Sequence, residues 1–426
     1  MASTMPKTAT RPIPADAATT PFTFVDAFAG CGGLSLGLKR AGWECLVAIE
    51  KDPFAFETYQ ANFLRGGTPL GMRWPEGVAE KPWEISAFRQ ECAAFLEGIR
   101  GQVDLLAGGP PCQGFSHAGR RQADDPRNRL FEDYLSLVQD LQPKAVLIEN
   151  VRGFTSDFGR GMPGEGRNFA AELKERLAET YATVDTILMA SDFGVPQARP
   201  RFFLVGVRRD LSCAEGVGSF FRKLHGQSRS FLAARGLAQG TTARDAISDL
   251  EVARAGTMDC ADSAGFSAIA YDGPLSAFQR VMQQGHSKAP GDTRLARHAP
   301  EIQARFADII RSSGEEGRLN QVISPDLRRK HGLKKIAIRV LDPLTPAPTI
   351  TSMPEDLLHY REPRTLTVRE NARLQSFPDW FQFKGKYTTG GLARRTEIPR
   401  FTQVANAVPP LLAEQIGACL AHVLSS

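Results

Sequence analysis

Short apolar runs alternate with helical patterns through the first half of the chain, and this alternation limits the fold more than any other feature. Six runs have the composition of strands, and helix-like segments separate the first five of them. The runs are FTFVDAFAG (22–30), CLVAIE (45–50), VDLLAGG (103–109), KAVLIENV (144–151), YATVDTILMAS (181–191) and RFFLVGVRR (201–209). Such alternation predicts right-handed crossovers and a parallel, doubly wound α/β sheet. The last two runs have only a turn-like segment between them, which predicts a hairpin that adds an antiparallel strand.

The alternation divides the chain into four segments. Residues 1–21 are rich in Thr, Ala and Pro and lack the apolar core of a signal peptide, so we expect a disordered tail. Residues 22–210 contain the sheet, and residues 211–397, where Gly and Pro are frequent, predict a smaller irregular lobe. Residues 398–426 return to helical spacing after a Pro-Pro pair, which predicts a helix that packs back on the first domain.

Cysteine usage and charge limit the environment and the partners of the protein. Seven cysteines occur singly, which predicts reduced thiols in a cytoplasmic protein and no bound metal. No apolar run approaches the roughly 18 residues of a membrane span. The net charge is +5, and one stretch holds six basic residues against one acid, which fits either a solvated face or a surface for a polyanion. The basic residues of that stretch are Arg328, Arg329, Lys330, Lys334, Lys335 and Arg339.

A glycine cluster follows the first predicted strand. Gly30, Gly32 and Gly33 permit a tight turn, and the helix behind them would present its N-terminal N–H groups to a ligand. Glu50 ends the second strand, where an acid can accept both hydroxyl groups of a ribose. The pair indicates a cofactor that contains adenosine, although the glycines alone also fit a plain tight turn.

A cysteine and an acid end the third and fourth predicted strands. Cys112 follows two prolines that stiffen the turn, which suits a nucleophile held at a fixed angle, although a buried structural thiol also fits. Glu149 follows the apolar run AVLI, so burial should raise its pKa and let it donate a proton at neutral pH. Arg199 and Arg201 are two positions apart, and on an extended chain they would face the same rim.

The ordered motifs DAFAGCGG, GGPPCQGFS, IENV, QARPR, TVRENARLQSFPD and QVANAVPP resemble those of the DNA cytosine carbon-5 methyltransferases of the bacterial type. The resemblance implies a Rossmann-like methyltransferase sheet and a target-recognition domain in residues 211–397. It implies transfer of a methyl group from S-adenosylmethionine to a cytosine flipped out of duplex DNA. By the same resemblance, Cys112 would add to carbon 6, Glu149 would engage N3, and Arg201, with Arg199, would hold the base oxygen.

The resemblance also assigns the residues that bind the cofactor and DNA. Three positions depart from the family pattern: Lys51 replaces an apolar residue, Glu84 with Ile85 replaces an Asp-Ile pair, and Ala405 replaces a glycine. The expected cofactor residues are Phe28, Gly30, Gly33, Glu50, Lys51, Glu84, Ile85, Pro111 and Asn406, with Pro111 also flanking the target pocket. The expected DNA contacts are Gln113, Ser116, Arg120 and Arg121 in the loop after the cysteine, and Arg328, Arg329, Lys330, Lys334 and Lys335 in the basic stretch.

These assignments imply a monomeric enzyme of the bacterial cytoplasm whose partner is double-stranded DNA and not a membrane. Both a restriction–modification role, with a cognate endonuclease acting separately, and an orphan regulatory role fit the sequence. Two other functions compete. One is an RNA cytosine methyltransferase, although the CFT signature of the tRNA-acting branch does not occur in the second lobe. The other is a catalytically silent DNA-binding module, although every chemical position of the family is filled.

Overall fold

The structure is a computed structural model. It describes residues 21–65, 70–110, 128–155, 168–286, 288–389 and 397–426.

A six-stranded sheet organises the first half of the chain. Its strand order is β2-β1-β3-β4-β7-β5; the first four strands in this order are mutually parallel, and β7 runs antiparallel to both β4 and β5. The strands are Thr23–Ala27 (β1), Glu44–Ile49 (β2), Leu105–Gly108 (β3), Ala145–Val151 (β4), Tyr181–Met189 (β5) and Pro200–Arg208 (β7), with a short strand β6 at Gln197–Ala198. The doubly wound sheet with an antiparallel strand is therefore confirmed.

Helices cover both faces of this sheet, which explains why its central strands are apolar on both sides. One face packs on the helices Gly33–Arg40, Phe220–Ala233 and Pro410–Leu424, and the other packs on the helices between residues 85 and 177. Local signals fix several helix starts: the Asp52 side chain accepts the Ala55 N–H at 2.9 Å, and Pro53 occupies the first turn of α2. The helices of the first half are Gly33–Arg40 (α1), Pro53–Tyr59 (α2), Ile85–Glu91 (α3), Ala93–Ile99 (α4), Asn128–Leu141 (α5) and Phe169–Leu177 (α6).

The second half of the chain is less regular. Its helices are Phe220–Ala233 (α7), Ala243–Ile247 (α8), Val252–Ala255 (α9), Ala277–Gln283 (α10), Pro300–Glu315 (α11), Pro325–Lys330 (α12), Val368–Leu374 (α13), Arg400–Asn406 (α14) and Pro410–Leu424 (α15). Its strands are Thr257–Asp259 (β8), Ser267–Ile269 (β9), Arg339–Val340 (β10), Ala347–Pro348 (β11) and Leu357–Leu358 (β12). A separate small core forms between α11, α12 and β10.

The helix α7 belongs to the core of the sheet, although it lies after residue 210. Phe220, Leu224 and Leu232 share an apolar cluster with the residues of α1 and α15. The domain boundaries at 211 and 397 stay a prediction, and this packing favours a later start of the second lobe. By length and hydropathy, one helical segment of the described chain, Arg400–Leu424, could cross a bilayer, but 78% of its most apolar window is buried within the protein.

Buried ion pairs stabilise the framework around α13. Arg364 forms two 2.8 Å hydrogen bonds with the carboxylate of Glu370. Arg373 binds both oxygens of Asp379 at 2.8 Å and one oxygen of Asp249 at 2.6 Å, and all three side chains are fully buried. These side chains lie inside the lobe, where they organise its packing.

Candidate active site

Three of the predicted chemical residues, Glu50, Glu149 and Arg201, lie at one edge of the sheet. The chain passes from β1 to β2 on one side and then to β3 on the other, which makes the gap between β1 and β3 the switch point where such sheets bind ligands. The carboxyl ends of β1 to β4 meet there, and the antiparallel strand β7 begins there, since Arg201 pairs with Val151. We call this edge the rim.

Glu50 occupies the rim at the end of β2. Its two carboxylate oxygens accept the backbone N–H groups of Gly30 at 2.8 Å and Asp52 at 2.7 Å. Burial raises the pKa of Glu50 and the charge of Asp52 adds to that rise, while the two N–H groups oppose it. Each oxygen keeps a lone pair beyond these bonds, so the carboxylate can still accept the hydroxyl groups of a ribose.

The turn after β1 leaves room beside Glu50. Phe28 and Gly30 both adopt positive φ angles, 59° and 56°, and a Cβ atom at Gly30 would meet no atom within 4 Å. Across the rim, the Nζ atom of Lys51 lies 3.9 Å from the carboxylate of Glu84, and both side chains are exposed. The Gly30 backbone therefore lies beside the Glu50 carboxylate with open space over its Cα atom, a feature that a ligand could use.

Three other predicted cofactor residues have different surroundings. Ile85 is 4% exposed and packs in the core, so only its backbone is available to a ligand. Gly33 lies directly against the carbonyl oxygen of Val408, and a Cβ atom would overlap that oxygen. Close packing of the C-terminal segment therefore accounts for this glycine without a ligand. Asn406 is exposed at the end of α14.

Glu149 and Arg201 form a buried pair at the end of β4. The Nε atom of Arg201 lies 3.1 Å from the Oε1 atom of Glu149, and each side chain is about nine-tenths buried. Burial raises the pKa of Glu149, and the positive charges of Arg201 and Arg199 oppose that rise. A carboxyl group whose pKa is raised in this way keeps its proton to higher pH than an exposed one, which suits it to donate a proton or a hydrogen bond.

The same strand anchors the segment that leads to Cys112. The Nδ2 atom of Asn150 donates to the carbonyl oxygen of Pro110 at 3.0 Å. A Cβ atom at Gly109 would lie 3.1 Å from Oε2 of Glu149, so this segment passes directly over the acid. The predicted residues Pro111, Cys112, Gln113, Ser116, Arg120 and Arg121 lie outside the described residues.

Arg199 is anchored differently from Arg201, and its predicted contact with the base stays a prediction. It is 1% exposed, and its Nη2 atom donates to the carbonyl oxygens of Ala405 at 2.7 Å and Ala407 at 3.3 Å. Arg199 lies between β6, which pairs with β11, and β7, which pairs with β4. Arg199 therefore holds the backbone on both sides of Asn406.

Gln375 also holds the backbone on both sides of Asn406, and the sequence did not single it out. Its Nε2 atom donates to the carbonyl oxygens of Val404 at 2.9 Å and Ala407 at 3.3 Å. It lies in the motif LQSFP, but an uncharged amide in a motif gives no sign of its partner. Asn150 was missed for the same reason.

The basic stretch is largely paired within the protein. Lys330 contacts Asp308 at 2.6 Å, and Lys335 contacts Asp356 at 2.8 Å. Arg329 pairs with Asp326. Within the described ranges, Arg328 and Lys334 have no ion-pair partner. Contact of this stretch with DNA stays a prediction, and the pairing leaves fewer free charges than the sequence implied.

Comparison with known proteins agrees with this geometry. The profile of the family described as C-5 cytosine-specific DNA methylase matches residues 22–422. The Type II methyltransferase M.DdeI of Desulfomicrobium norvegicum is 32% identical over 92% of this chain and 86% of its own length. The Type II methyltransferase M1.HphI of Haemophilus parahaemolyticus is 31% identical over 92% and 85%.

One solved structure supports the fold as well. A DNA modification methyltransferase encoded within an Escherichia coli prophage superposes with a TM-score of 0.64 at 25% identity, covering 95% of this chain and all of that one. The profile match spans nearly all of the chain that follows the N-terminal tail. The chain therefore belongs to the C-5 cytosine-specific DNA methylase family and is a DNA (cytosine-5) methyltransferase.

Proposed function

We propose that this enzyme transfers a methyl group from S-adenosylmethionine to carbon 5 of a cytosine that is flipped out of a specific duplex DNA sequence. The observation that supports this most is the buried pair of Glu149 and Arg201, which lies directly below the segment leading to Cys112. This pair supports the proposal because it combines a carboxyl group of raised pKa with a positive charge at the end of β4.

The rim fits the cofactor. Glu50 would accept the ribose hydroxyl groups, Phe28 would stack on the adenine, and Gly30 would leave space for the methionine end. Asn406, which Arg199 and Gln375 hold in place through the backbone, would complete the site from the C-terminal segment. When bound, S-adenosylmethionine supplies the electrophilic methyl group.

Cys112 would begin the reaction by adding its thiolate to carbon 6 of the cytosine. The electron pair of the carbon 5–carbon 6 double bond then forms a double bond between carbons 4 and 5, and the electrons of the carbon 4–N3 double bond take a proton from Glu149, which makes carbon 5 nucleophilic. After carbon 5 has gained the methyl group, N3 returns its proton to Glu149 and carbon 5 loses its own proton to a base. The electrons of that carbon–hydrogen bond restore the double bond, and the thiolate of Cys112 leaves.

Arg201 has two tasks in this scheme. Its guanidinium would bind the base oxygen, and its charge moderates the pKa of Glu149 so that the acid can both give and regain a proton. Carbon 6 is inaccessible in stacked DNA, so the base must leave the helix at a cost of about a few kcal/mol.

The names of the relatives bear on the cellular role of the enzyme. Its relatives bear the name Type II methyltransferase. We propose that this enzyme likewise acts on DNA in the bacterial cytoplasm, in a restriction–modification system or as an orphan methylase.

Covalent trapping tests the mechanism. Bisulfite sequencing of DNA from a methylation-deficient strain that expresses the enzyme would first identify the target site. A duplex carrying 5-fluorocytosine at that site should then form a stable complex with the wild type and none with Cys112→Ser. Glu149→Gln should form it slowly while binding the cofactor normally.

Three results would contradict the proposal. One is a complex that survives Cys112→Ser, and another is the absence of any complex at the methylated site. The third is transfer of labelled methyl groups to tRNA but not to duplex DNA, which would make the enzyme an RNA methyltransferase.

A further inference from the structure

Outside the rim, guanidinium and aromatic groups alternate in a continuous stack. The guanidinium carbons of Arg297 and Arg294 lie 4.2 and 4.4 Å from the ring centroid of Phe266. Those of Arg294 and Arg400 lie 3.7 and 4.1 Å from the centroid of Tyr387. Each distance is within the roughly 6 Å at which a ring face attracts a cation. We call these five residues the arginine–aromatic stack.

One end of the stack is anchored by acids. The Nη1 atom of Arg400 contacts Asp262 at 2.6 Å and Asp292 at 2.9 Å. The hydroxyl group of Tyr387 donates to Asp262 at 3.0 Å. These contacts neutralise Arg400 and fasten the stack to α14.

The other end carries two positive charges that form no ion pair within the described residues; the nearest acid acting on Arg294, Asp262, is already paired with Arg400. Arg294 donates to the hydroxyl group of Ser263 at 3.3 Å, and the exposed Arg297 donates to the carbonyl oxygen of Gly265. In the part of the chain that the structure describes, neither guanidinium has a carboxylate within ion-pair distance. Both are held in place by neutral groups, and their charge remains available to a ligand.

The stack lies close to the rim. Arg400 begins α14 and Asn406 ends it, so about 9 Å of helix separates them. The N–H group of Ile398 donates to the side chain of Asp52, just beyond β2, at 3.2 Å. Beside the stack is an open cleft of about 440 Å³ that Lys386 also borders.

We propose that the Arg294–Arg297 end of the stack binds a backbone phosphate of the DNA duplex that flanks the flipped cytosine. A guanidinium stacked on an aromatic ring keeps its planar N–H donors directed outward, and these donors match the geometry of a phosphate. Because the stack already fixes both side chains, binding costs little conformational entropy. This inference rests on the proposed function, because it places the substrate over the rim.

Salt-dependent DNA binding tests the inference without catalysis. Binding of the full-length enzyme to 30-base-pair duplexes of three unrelated sequences would be measured by fluorescence anisotropy over a range of KCl concentrations. Arg297→Ala should lower the slope of log K against log salt by about 0.9, and the double variant with Arg294→Gln by about 1.8. Arg297→Lys, which keeps the charge, should retain most of the slope.

The matched control is Arg311→Ala. Arg311 is also an exposed arginine, but it already pairs with Asp308 and Glu315, so its removal should leave the slope unchanged. The effect of Arg297→Ala should be equal for all three duplexes, since a phosphate contact does not depend on the base sequence.

Several outcomes would overturn the inference. One is an unchanged slope in a normally folded Arg297→Ala, and another is a loss confined to one duplex, which would indicate base reading. A lowered melting temperature with an unchanged slope would show that the stack only stabilises the lobe. Preferential binding of polyglutamate over DNA would indicate a protein partner. A wild type that traps 5-fluorocytosine DNA while the slope stays unchanged would leave the proposed function intact and reject only this inference.

Discussion

Replacing Arg199 should weaken cofactor binding more than it slows the chemical step. The side chain donates to the carbonyl oxygens of Ala405 and Ala407, and Asn406 lies between them. Both bonds come from the Nη2 atom, and lysine at this position would not reproduce them because its side chain is one atom shorter and its ammonium group would stop short of the Nη2 position. Hydrogen bonds that involve a charged group contribute about 1.5–3 kcal/mol each, and the 3.3 Å bond is the weaker of the two.

These values set the expected size of the effect. If about 1.4–2.8 kcal/mol of that loss is transmitted to the cofactor site, the dissociation constant of S-adenosylmethionine should rise roughly 10- to 100-fold in Arg199→Lys. Gln375→Met is the matched comparison, since Gln375 holds Val404 and Ala407 without carrying a charge. The double variant should lose less than the sum, with a coupling of about 0.5–3 kcal/mol, because both side chains hold one segment.

Isothermal titration calorimetry would measure cofactor affinity, and single-turnover methyl transfer at saturating cofactor would measure the chemical step. Arg199 also opposes the rise in the pKa of Glu149. Arg199→Met should therefore move the pH profile of the single-turnover rate toward higher pH, whereas Gln375→Met should not. A positioning role for Arg199 is refuted if the cofactor affinity of Arg199→Lys stays within about twofold of the wild type while its single-turnover rate falls as in Arg201→Gln. That result would place Arg199 on the target base.

Two further changes test the packing behind the rim. Gly33→Ala should destabilise the protein by about 1–3 kcal/mol in urea unfolding, because the methyl group would overlap a backbone carbonyl oxygen; Gly98→Ala, a helical glycine with open space around it, should cause no loss. Arg373→Met should cost about 3–5 kcal/mol, because Asp249 and Asp379 would remain buried without their partner. Burial raises the pKa of Asp249, and removal of the opposing Arg373 charge would raise it further, so the destabilisation should grow as pH rises through the folded pKa of Asp249. A loss that is equal at pH 5 and pH 8 would contradict this assignment.

The fold was predictable because its signals are local. The apolar run AVLI before Glu149 predicts a strand that is buried on both faces, and β4 is such a strand. The turn-like segment between β5 and β7 predicts the antiparallel strand, and β7 runs in that direction. Since the carboxyl ends of parallel strands share one edge, the sequence also predicted that Glu50 and Glu149 lie on the same rim.

Contacts between distant segments were not predictable in the same way. The role of Arg199 depends on Ala405, which is 206 positions later in the chain. The helix α7 follows the point where the alternation stops, yet its apolar face completes the core beneath the sheet. In both cases the contact forms only when distant segments of the chain come together. No local sequence pattern indicates which segments these are.

The sequence by itself determined the reaction class, the doubly wound sheet and the order of chemical residues along its rim, because these depend on motif identity and local periodicity. The tertiary structure decided which charges remain free. It pairs Lys330 and Lys335 of the basic stretch with acids and leaves Arg294 and Arg297 without them. The physical reason is that a charge is available to DNA only if no carboxylate lies beside it, and that is fixed by distances between segments far apart in the chain.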